Sequence, residues 1–163
     1  MGSKIKSISI FLPGIVLTNE QLASDFGRWE PDKIEGKLGI KERHIAAKNE
    51  TAGDLAFHAA SKVLSGYDKG KIDMLVLCTQ SPDYFLPTTA CVLQDRLKLR
   101  TDICAYEFNL RCSGFIYGLA MAKSFIKTGI ASNVLLITSE TYSKYIHPKD
   151  LALKTVFGDG AAA

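Results

Sequence analysis

The alternation of apolar runs with helical patterns after residue 50 constrains the fold more than any other feature of this sequence. Residues 73–79 contain a continuous apolar run, Met-Leu-Val-Leu-Cys, and residues 133–138 contain another, Val-Leu-Leu-Ile. Such runs are typical of strands in a sheet that is covered on both faces. Helical patterns at residues 88–97 and 113–128 separate these strands from a further strand pattern at residues 102–108. The alternation predicts an α/β fold with parallel strands.

Start signals predict further helices in the first part of the chain, at residues 18–26, 31–38 and 51–63. Thr18 followed three residues later by Gln21 is the pattern of a capping box. Thr51 offers a side-chain oxygen at the start of the third helix. Residues 4–12 alternate apolar and polar side chains, which predicts a strand, and residues 39–45 predict a loop or hairpin. The helix at residues 113–128 is apolar on most sides, so we expect it to be central and buried.

Composition restricts the classes of function. The chain has 163 residues, of which 47% are hydrophobic and 23% charged, so it can form one domain with a core of its own. Its net charge is only +3 and its charges are interspersed, which argues against binding to nucleic acid or to a membrane surface. We find no apolar run of membrane-spanning length and no signal-peptide pattern. We therefore expect a cytoplasmic protein.

The cysteines differ in their sequence context, and none forms a C-x-x-C pair, which weakens zinc and redox-dithiol interpretations. Cys78, Cys91 and Cys104 lie in strand or helix patterns, and we expect all three to pack in the core. Cys112 instead falls between a predicted strand and a predicted helix. Free N–H groups and the helix dipole favour a thiolate at a helix start, so Cys112 is a candidate nucleophile. The alternative is a buried cysteine that acts as a small hydrophobic residue.

The end of the chain suggests that it is part of a larger protein. Residues 157–163, Phe-Gly-Asp-Gly-Ala-Ala-Ala, form a turn followed by small residues, with no charged tail. This pattern is what we expect where a further strand begins.

Four segments, in order, resemble one known family. They are Gly-Ile-Lys-Glu-Arg-His-Ile at residues 39–45, Ser-Pro-Asp-Tyr-Phe-Leu-Pro-Thr-Thr-Ala-Cys at 81–91, Phe-Asn-Leu-Arg-Cys-Ser-Gly-Phe at 108–115, and Phe-Gly-Asp-Gly-Ala-Ala at 157–162. Together they resemble the beta-ketoacyl-acyl-carrier-protein synthase III family, the initiating condensing enzymes of fatty acid synthesis. The resemblance covers only the N-terminal half of that family.

The resemblance implies a thiolase-like half, a mixed and mostly parallel sheet covered by helices, with residues 1–163 as the N-terminal domain and the C-terminal half absent. It implies that Cys112 attacks an acyl-CoA thioester and holds the acyl group. Malonyl-acyl-carrier protein then loses carbon dioxide and its carbanion attacks the acyl-enzyme, which divides the reaction into two easier steps. The family is homodimeric, binds acyl-CoA as substrate, and holds no permanent cofactor. Its histidine and asparagine lie in the absent half, so we expect the chain alone to be incomplete for turnover.

Several positions depart from the family pattern. The family places a tryptophan that stacks on the CoA adenine at the position of Lys33, and an arginine at Lys37. Trp29 lies four residues earlier, and on a continuous helix it would share the face of Lys33. Trp29, Lys33 and Lys37 are thus candidate CoA-binding residues, although Trp29 could equally anchor the short helix. Leu151 stands where the family has a CoA-binding arginine, so an acyl-carrier protein or an unusual acyl-CoA stays open as the donor.

The histidines and Arg111 also need an interpretation. His44, His58 and His147 match no family catalytic position, and we expect His44 to order its loop rather than to act as a base. Arg111 precedes Cys112, where the family has a small residue, and the sequence does not explain it.

Two other functions stay open from the sequence. Related enzymes that make polyketides, quinolones or hydroxymethylglutaryl-CoA use the same thiolate step. A non-catalytic module that dimerises or binds a carrier protein is the alternative from another class, and acylation at Cys112 would distinguish it from an enzyme. The segment around Phe85 and Leu86 either packs in the core or crosses the family's dimer interface.

Overall fold

The computed structural model describes residues 2–27 and 29–163 as a layered α/β structure. The strands are β1 (Ile10–Phe11), β2 (Ile15–Thr18), β3 (Glu42–Ile45), β4 (Met74–Cys78), β5 (Cys104–Phe108), β6 (Val134–Glu140) and β7 (Gly160–Ala162). The helices are α1 (Asn19–Phe26), α2 (Pro31–Leu38), α3 (Ala52–Val63), α4 (Thr89–Arg96), α5 (Gly114–Lys127) and α6 (Leu151–Val156). The strand–helix alternation predicted after residue 50 is therefore confirmed.

The main sheet is mixed and has the strand order β1-β7-β6-β4-β5. Its three longest strands are parallel, since β4 pairs with both β5 and β6 in that direction. Strand β7 pairs antiparallel with β6 and with β1. Strands β2 and β3 form a separate two-stranded antiparallel sheet, although α1 and α2 lie between them in the sequence. The loop or hairpin predicted at residues 39–45 is therefore wrong as a hairpin, because Glu42–Ile45 is a single strand whose partner lies far earlier in the chain. Strand β5 is an edge strand, and it leads directly to the turn that carries Cys112.

Reciprocal side-chain caps start α1 and α3. The Thr18 hydroxyl accepts from the Gln21 N–H, and the Gln21 side chain accepts from the Thr18 N–H at 3.0 Å, as the sequence predicts for α1. Thr51 caps α3 in the same reciprocal way with Asp54. Each cap satisfies backbone N–H groups that the helix leaves unpaired.

Helices cover both faces of the central strands. Leu75 and Leu77 of β4 are fully buried and pack with α3 and α4 on one face. Met74 and Val76 point to the other face, where they pack with Phe125 of α5. Fully burying one such side chain contributes about 1.5–3 kcal/mol, so β4 is the centre of the core. The last residue of β4, Cys78, also packs beneath the turn that carries Cys112.

The prediction of a strand at residues 4–12 is wrong for most of that segment. Only Ile10–Phe11 forms a strand, and Ser9 adds a reciprocal pair of backbone hydrogen bonds with Ala163 at 2.9 and 3.0 Å. Ile5 and Ile8 are exposed. Alternation shows that a segment can bury one face, but a strand also needs a neighbouring strand, which residues 4–8 lack in the described part of the chain.

The expectation that the helix at residues 113–128 is buried is also wrong for this chain. Of the residues of α5, only Gly114 and Gly118 are buried. Phe115, Ile116 and Tyr117 are exposed by 48%, 64% and 56%. An apolar helix surface shows that the helix could be buried. Whether it is buried depends on which elements pack against it.

Candidate active site

Cys112 lies on an exposed turn between an edge strand and a long helix. Strand β5 ends at Phe108, a 3₁₀ turn spans Arg111–Ser113, and α5 begins at Gly114. Cys112 is exposed and lines an open cavity of about 680 Å³ together with the other residues of the turn, Asn109, Leu110, Arg111 and Ser113. The predicted position of Cys112 at a helix start is confirmed, and the alternative of a buried hydrophobic cysteine is wrong.

The turn rests on the end of β4. Cys78, the last residue of β4, is buried, and its thiol interacts with the backbone of Leu110. Gly114 lies directly against the Cys78 sulfur, because a side-chain carbon at Gly114 would overlap with it. Burial raises the pKa of the Cys78 thiol, although the Leu110 backbone partly opposes this. Cys78 is thus a packing residue beneath the turn, as predicted.

The core role predicted for Cys91 and Cys104 is wrong, because both residues are exposed. Cys104 begins β5, whose outer edge has no partner strand in the described residues. Cys91 lies on α4, where the Thr88 hydroxyl donates to its sulfur at 3.2 Å. Their sequence patterns resemble buried elements, but these positions face outward. Three of the four cysteines are consequently accessible, and accessibility alone does not distinguish Cys112.

Hydrogen bonds connect Arg111, the residue before Cys112, to the segment after β4 and to the end of β6. Arg111 has a left-handed backbone with φ of +50°, and its Nε donates to Gln80 Oε1 at 3.0 Å. The Gln80 N–H donates to Glu140 Oε1 at 2.7 Å, and the Ser81 hydroxyl donates to Glu140 Oε2 at 2.9 Å. Burial raises the pKa of Glu140, while these hydrogen bonds oppose the rise.

Sequence reasoning missed Gln80 and Glu140. The one available signal is an acidic residue at the end of an otherwise apolar strand pattern, since Glu140 ends β6. A carboxyl group in that position has to find partners inside the protein. The sequence does not show that those partners follow β4.

The candidate CoA-binding residues lie just before α2 and along it. Lys33 and Lys37 are exposed and stand four residues apart on this helix, so they share a face. Lys33 also pairs with Glu30 at 2.9 Å. Trp29 precedes the N-cap Glu30 and has φ of +68°, so the premise that it shares a helix face with Lys33 is wrong. Its side chain is 49% exposed, which also weighs against an anchoring role.

The Phe-Gly-Asp-Gly turn is hydrogen-bonded to the end of β3 and to the residue after it. The Asp159 carboxylate accepts from the Ala46 N–H at 2.8 Å and from the Ser143 N–H at 2.9 Å. The Asp159 N–H donates to the His44 carbonyl at 2.7 Å, and His44 Nδ1 lies 2.7 Å from the Pro13 carbonyl. These contacts agree with the expectation that His44 orders its loop.

The segment after β4 is anchored at one residue and exposed beyond it. Asp83 accepts from the Thr51 hydroxyl at 2.9 Å and from the Gly53 N–H at 2.8 Å. Phe85 and Leu86 follow with exposures of 102% and 82%. The alternative that this segment packs in the core is therefore wrong for this chain.

Comparisons with known proteins agree with this geometry. The family model "3-Oxoacyl-[acyl-carrier-protein (ACP)] synthase III" matches residues 106–163. Beta-ketoacyl-[acyl-carrier-protein] synthase III 1 of Vibrio vulnificus is 39% identical over 168 residues, which are 100% of this chain and 52% of that protein. The synthase III of Neisseria meningitidis is 37% identical, over 99% of this chain and 51% of that protein. The chain spans about half the length of the curated relatives that it matches.

Solved structures give the same result. A 3-oxoacyl-(acyl-carrier-protein) synthase III crystal structure matches with a TM-score of 0.93 and 50% identity, covering 96% of this chain and 47% of that one. The synthase III of Aquifex aeolicus matches with a TM-score of 0.92 and 38% identity, covering 99% of this chain and 52% of that one. The priming beta-ketosynthase of the R1128 polyketide pathway matches with a TM-score of 0.88 and 25% identity, over 95% of this chain and 46% of that one.

A mixed sheet with helices on both faces, and a cysteine on the turn from an edge strand into the long helix α5, define a thiolase-like fold. Within that class, the chain matches proteins of the beta-ketoacyl-[acyl-carrier-protein] synthase III family along its own length and over about half of theirs.

Proposed function

We propose that this chain is the nucleophile-bearing part of a condensing acyltransferase that initiates fatty acid synthesis. In this proposal, residues 1–163 form the N-terminal thiolase-like domain, and a C-terminal half supplies the histidine and asparagine of the second step. The observation that carries the proposal is the exposed Cys112, at the start of α5, in a chain matched along its length by synthase III proteins.

The first step is acyl transfer to Cys112. The thiolate sulfur attacks the thioester carbonyl carbon, a new carbon–sulfur bond forms, and the bond to the CoA sulfur breaks. CoA leaves as a thiolate and takes up the proton that the Cys112 thiol released to water. The amino end of α5 favours the attacking thiolate, because unpaired N–H groups and the helix dipole stabilise negative charge there.

The second step joins two carbon atoms. The malonyl group on an acyl-carrier protein loses carbon dioxide, and the resulting carbanion attacks the acyl-cysteine carbonyl. Donors that stabilise the enolate-like charge contribute about 3–4 kcal/mol each to steps of this kind. The proposal assigns those donors to the C-terminal half, so the 163-residue chain should accept an acyl group but form no ketoacyl product.

The proposed acyl donor is acyl-CoA, bound as a substrate and not as a resident cofactor. Lys33 and Lys37 on one face of α2 are suited to CoA phosphates, and the exposed Trp29 ring offers a stacking surface for the adenine. Leu151, the first residue of α6, cannot pair with a phosphate, so phosphate binding would depend on the lysines. Lysine is a less directional phosphate ligand than arginine, which implies weaker discrimination between donors.

A homodimer and a cytoplasmic location complete the proposal. Tyr84, Phe85 and Leu86 form an exposed apolar segment of the kind that protein interfaces cover. The four cysteines are free, three of them are exposed, and exposed free thiols persist in a reducing compartment. No helix in the described ranges is long and apolar enough to cross a membrane.

Mass spectrometry of the intact protein tests the acyl transfer. Incubation with acetyl-CoA or butyryl-CoA should add one acyl mass, and peptide mapping should place it on Cys112. Cys112→Ala should abolish the adduct, whereas the matched control Cys104→Ala, also at an exposed cysteine, should retain it.

Adducts that appear equally on Cys91, Cys104 and Cys112 would indicate non-specific thiol chemistry and contradict the proposal. The absence of any adduct would favour the non-catalytic module. The shared acylation step does not separate fatty acid from polyketide enzymes, and product analysis with the C-terminal half present would do so.

A further inference from the structure

The backbone of Arg111 adopts an unfavourable conformation directly before the candidate nucleophile. Its φ of +50° lies in the left-handed region. A residue with a side chain is disfavoured there relative to glycine. Positions of this kind persist where the surrounding structure fixes them, and they concentrate at functional sites. The position therefore accepts a cost that a glycine would avoid, and its guanidinium is held by Gln80.

The Arg111 guanidinium is oriented by a neutral group and keeps its charge. Its Nε donates to the amide oxygen of Gln80, whose own backbone is fixed by Glu140. None of the ion pairs among residues 2–27 and 29–163 includes Arg111. The nearby Glu140 carboxylate is occupied by the Gln80 N–H and by the Ser81 hydroxyl. Both terminal nitrogens of the guanidinium thus stay available to an anion.

The cationic side chain and the candidate nucleophile belong to residues that line the same cavity. Arg111 and Cys112 line the same open cavity, and its other lining residues, Asn109, Leu110 and Ser113, include no acid. A cation that makes no ion pair, in a cavity whose lining residues include no acid, is suited to an anionic ligand. Guanidinium binds carboxylates through two parallel hydrogen bonds, which gives geometric selectivity as well as attraction.

We propose that Arg111 determines acyl specificity and favours acyl thioesters whose acyl chain ends in a carboxylate. This inference rests on the proposed function, because the acyl group must arrive on Cys112. The terminal carboxylate pairs with the guanidinium while the Cys112 sulfur attacks the thioester carbonyl, and the carboxylate is unchanged by the transfer. Gln80 is the positioning residue that holds the guanidinium in place.

Two alkylating reagents of nearly equal shape test the charge directly. Iodoacetate is anionic and iodoacetamide is neutral, and the ratio of their rates at Cys112 reports local attraction for an anion. We expect this ratio to fall about tenfold in Arg111→Gly, the size of one charge-assisted contact of about 1.4 kcal/mol. Cys104 in the same molecule is the internal reference.

The matched control is Lys98→Gly. Lys98 is also a cationic residue in the left-handed region, with φ of +55°, so this variant relieves the same backbone conformation and removes the same charge elsewhere. It should leave the ratio at Cys112 unchanged. An equal ratio in the wild-type protein and in Arg111→Gly overturns the proposal.

Two thioesters of matched shape test the substrate class. Succinyl-CoA carries a terminal carboxylate, and 4-methylpentanoyl-CoA replaces it with an uncharged isopropyl group. We expect Arg111→Gly to slow acylation of Cys112 by succinyl-CoA about tenfold and to spare 4-methylpentanoyl-CoA. Equal slowing of both reactions would mean that Arg111 acts on CoA phosphates or on the thiolate, and would overturn the proposal. Acylation by neither thioester would instead refute the proposed function on which it rests.

Discussion

Gly114 is the residue at which a single added methyl group should disturb the site most directly. A side-chain carbon at Gly114 would lie well inside the van der Waals distance of the Cys78 sulfur, and 3.9 Å from the Leu110 side chain. Cys78 is buried at the end of β4, so its sulfur has little space to retreat. Forcing extra volume into a packed site costs about 1–3 kcal/mol. Replacing a helical glycine gains up to about 1 kcal/mol, so Gly114→Ala should lower the free energy of unfolding by about 1–2 kcal/mol.

The assay is urea unfolding followed by circular dichroism, with the alkylation rate of Cys112 measured on the same samples. Gly36→Ala is the matched control, because Gly36 also lies in a helix and has nothing within 4 Å of its added carbon. It should be stabilising by about 0.5–1 kcal/mol. Cys78→Ala removes the clashing sulfur, so it should rescue Gly114→Ala, with a coupling of at least about 1 kcal/mol in the double-mutant cycle.

Two results would refute this reasoning. One is a Gly114→Ala protein that is as stable as the Gly36→Ala control. The other is a cycle in which the effects of Cys78→Ala and Gly114→Ala simply add. Either would show that the turn moves away from β4 without cost, and that the end of β4 does not support it.

Further predictions concern reactivity and electrostatics. With limiting iodoacetamide and peptide mapping, Cys112 should be alkylated first and Cys78 last, because Cys78 is buried and its thiol pKa is raised; faster labelling of Cys78 would contradict the packing described. Asp159→Ala should lower the free energy of unfolding by about 2–4 kcal/mol in urea, since it leaves two backbone N–H groups without their acceptor, and a change within 0.5 kcal/mol would contradict this. Burial raises the pKa of Glu140 above its ordinary value of 4.5, so its contribution to stability falls as pH rises from that value through the folded pKa. The difference in unfolding free energy between wild-type protein and Glu140→Gln should therefore shift in favour of the variant across that range, and identical pH profiles would count against the burial.

Local patterns in the sequence were sufficient for most of the elements. The cap of α1 depends on residues three apart, so Thr18 and Gln21 predicted it directly. The apolar run of β4 required burial on both faces, and every residue of that strand is buried. Cys112 was assigned to a helix start for the same reason, because the end of one pattern and the beginning of the next are visible in neighbouring residues.

Burial could not be predicted in the same way. Cys91 and Cys104 lie in patterns that resemble core elements, yet both are exposed, and α5 is apolar but mostly uncovered. The prediction for residues 4–8 failed for a related reason, since a strand needs a partner that its own sequence does not specify. The burial of a residue depends on how several elements pack together, so the sequence of one element does not determine it.

The sequence by itself determined the order of the elements, their caps and the place of Cys112. Only the tertiary structure decided which residues contact Arg111, directly before that cysteine. Gln80 is 31 residues from Arg111 and 60 residues from Glu140 in the chain. They meet because β4 pairs in parallel with β5 on one side and β6 on the other, with Cys78 opposite Phe108 and Thr138. Parallel pairing brings the carboxyl ends of strands to one edge of a sheet, so residues that share no local pattern converge there.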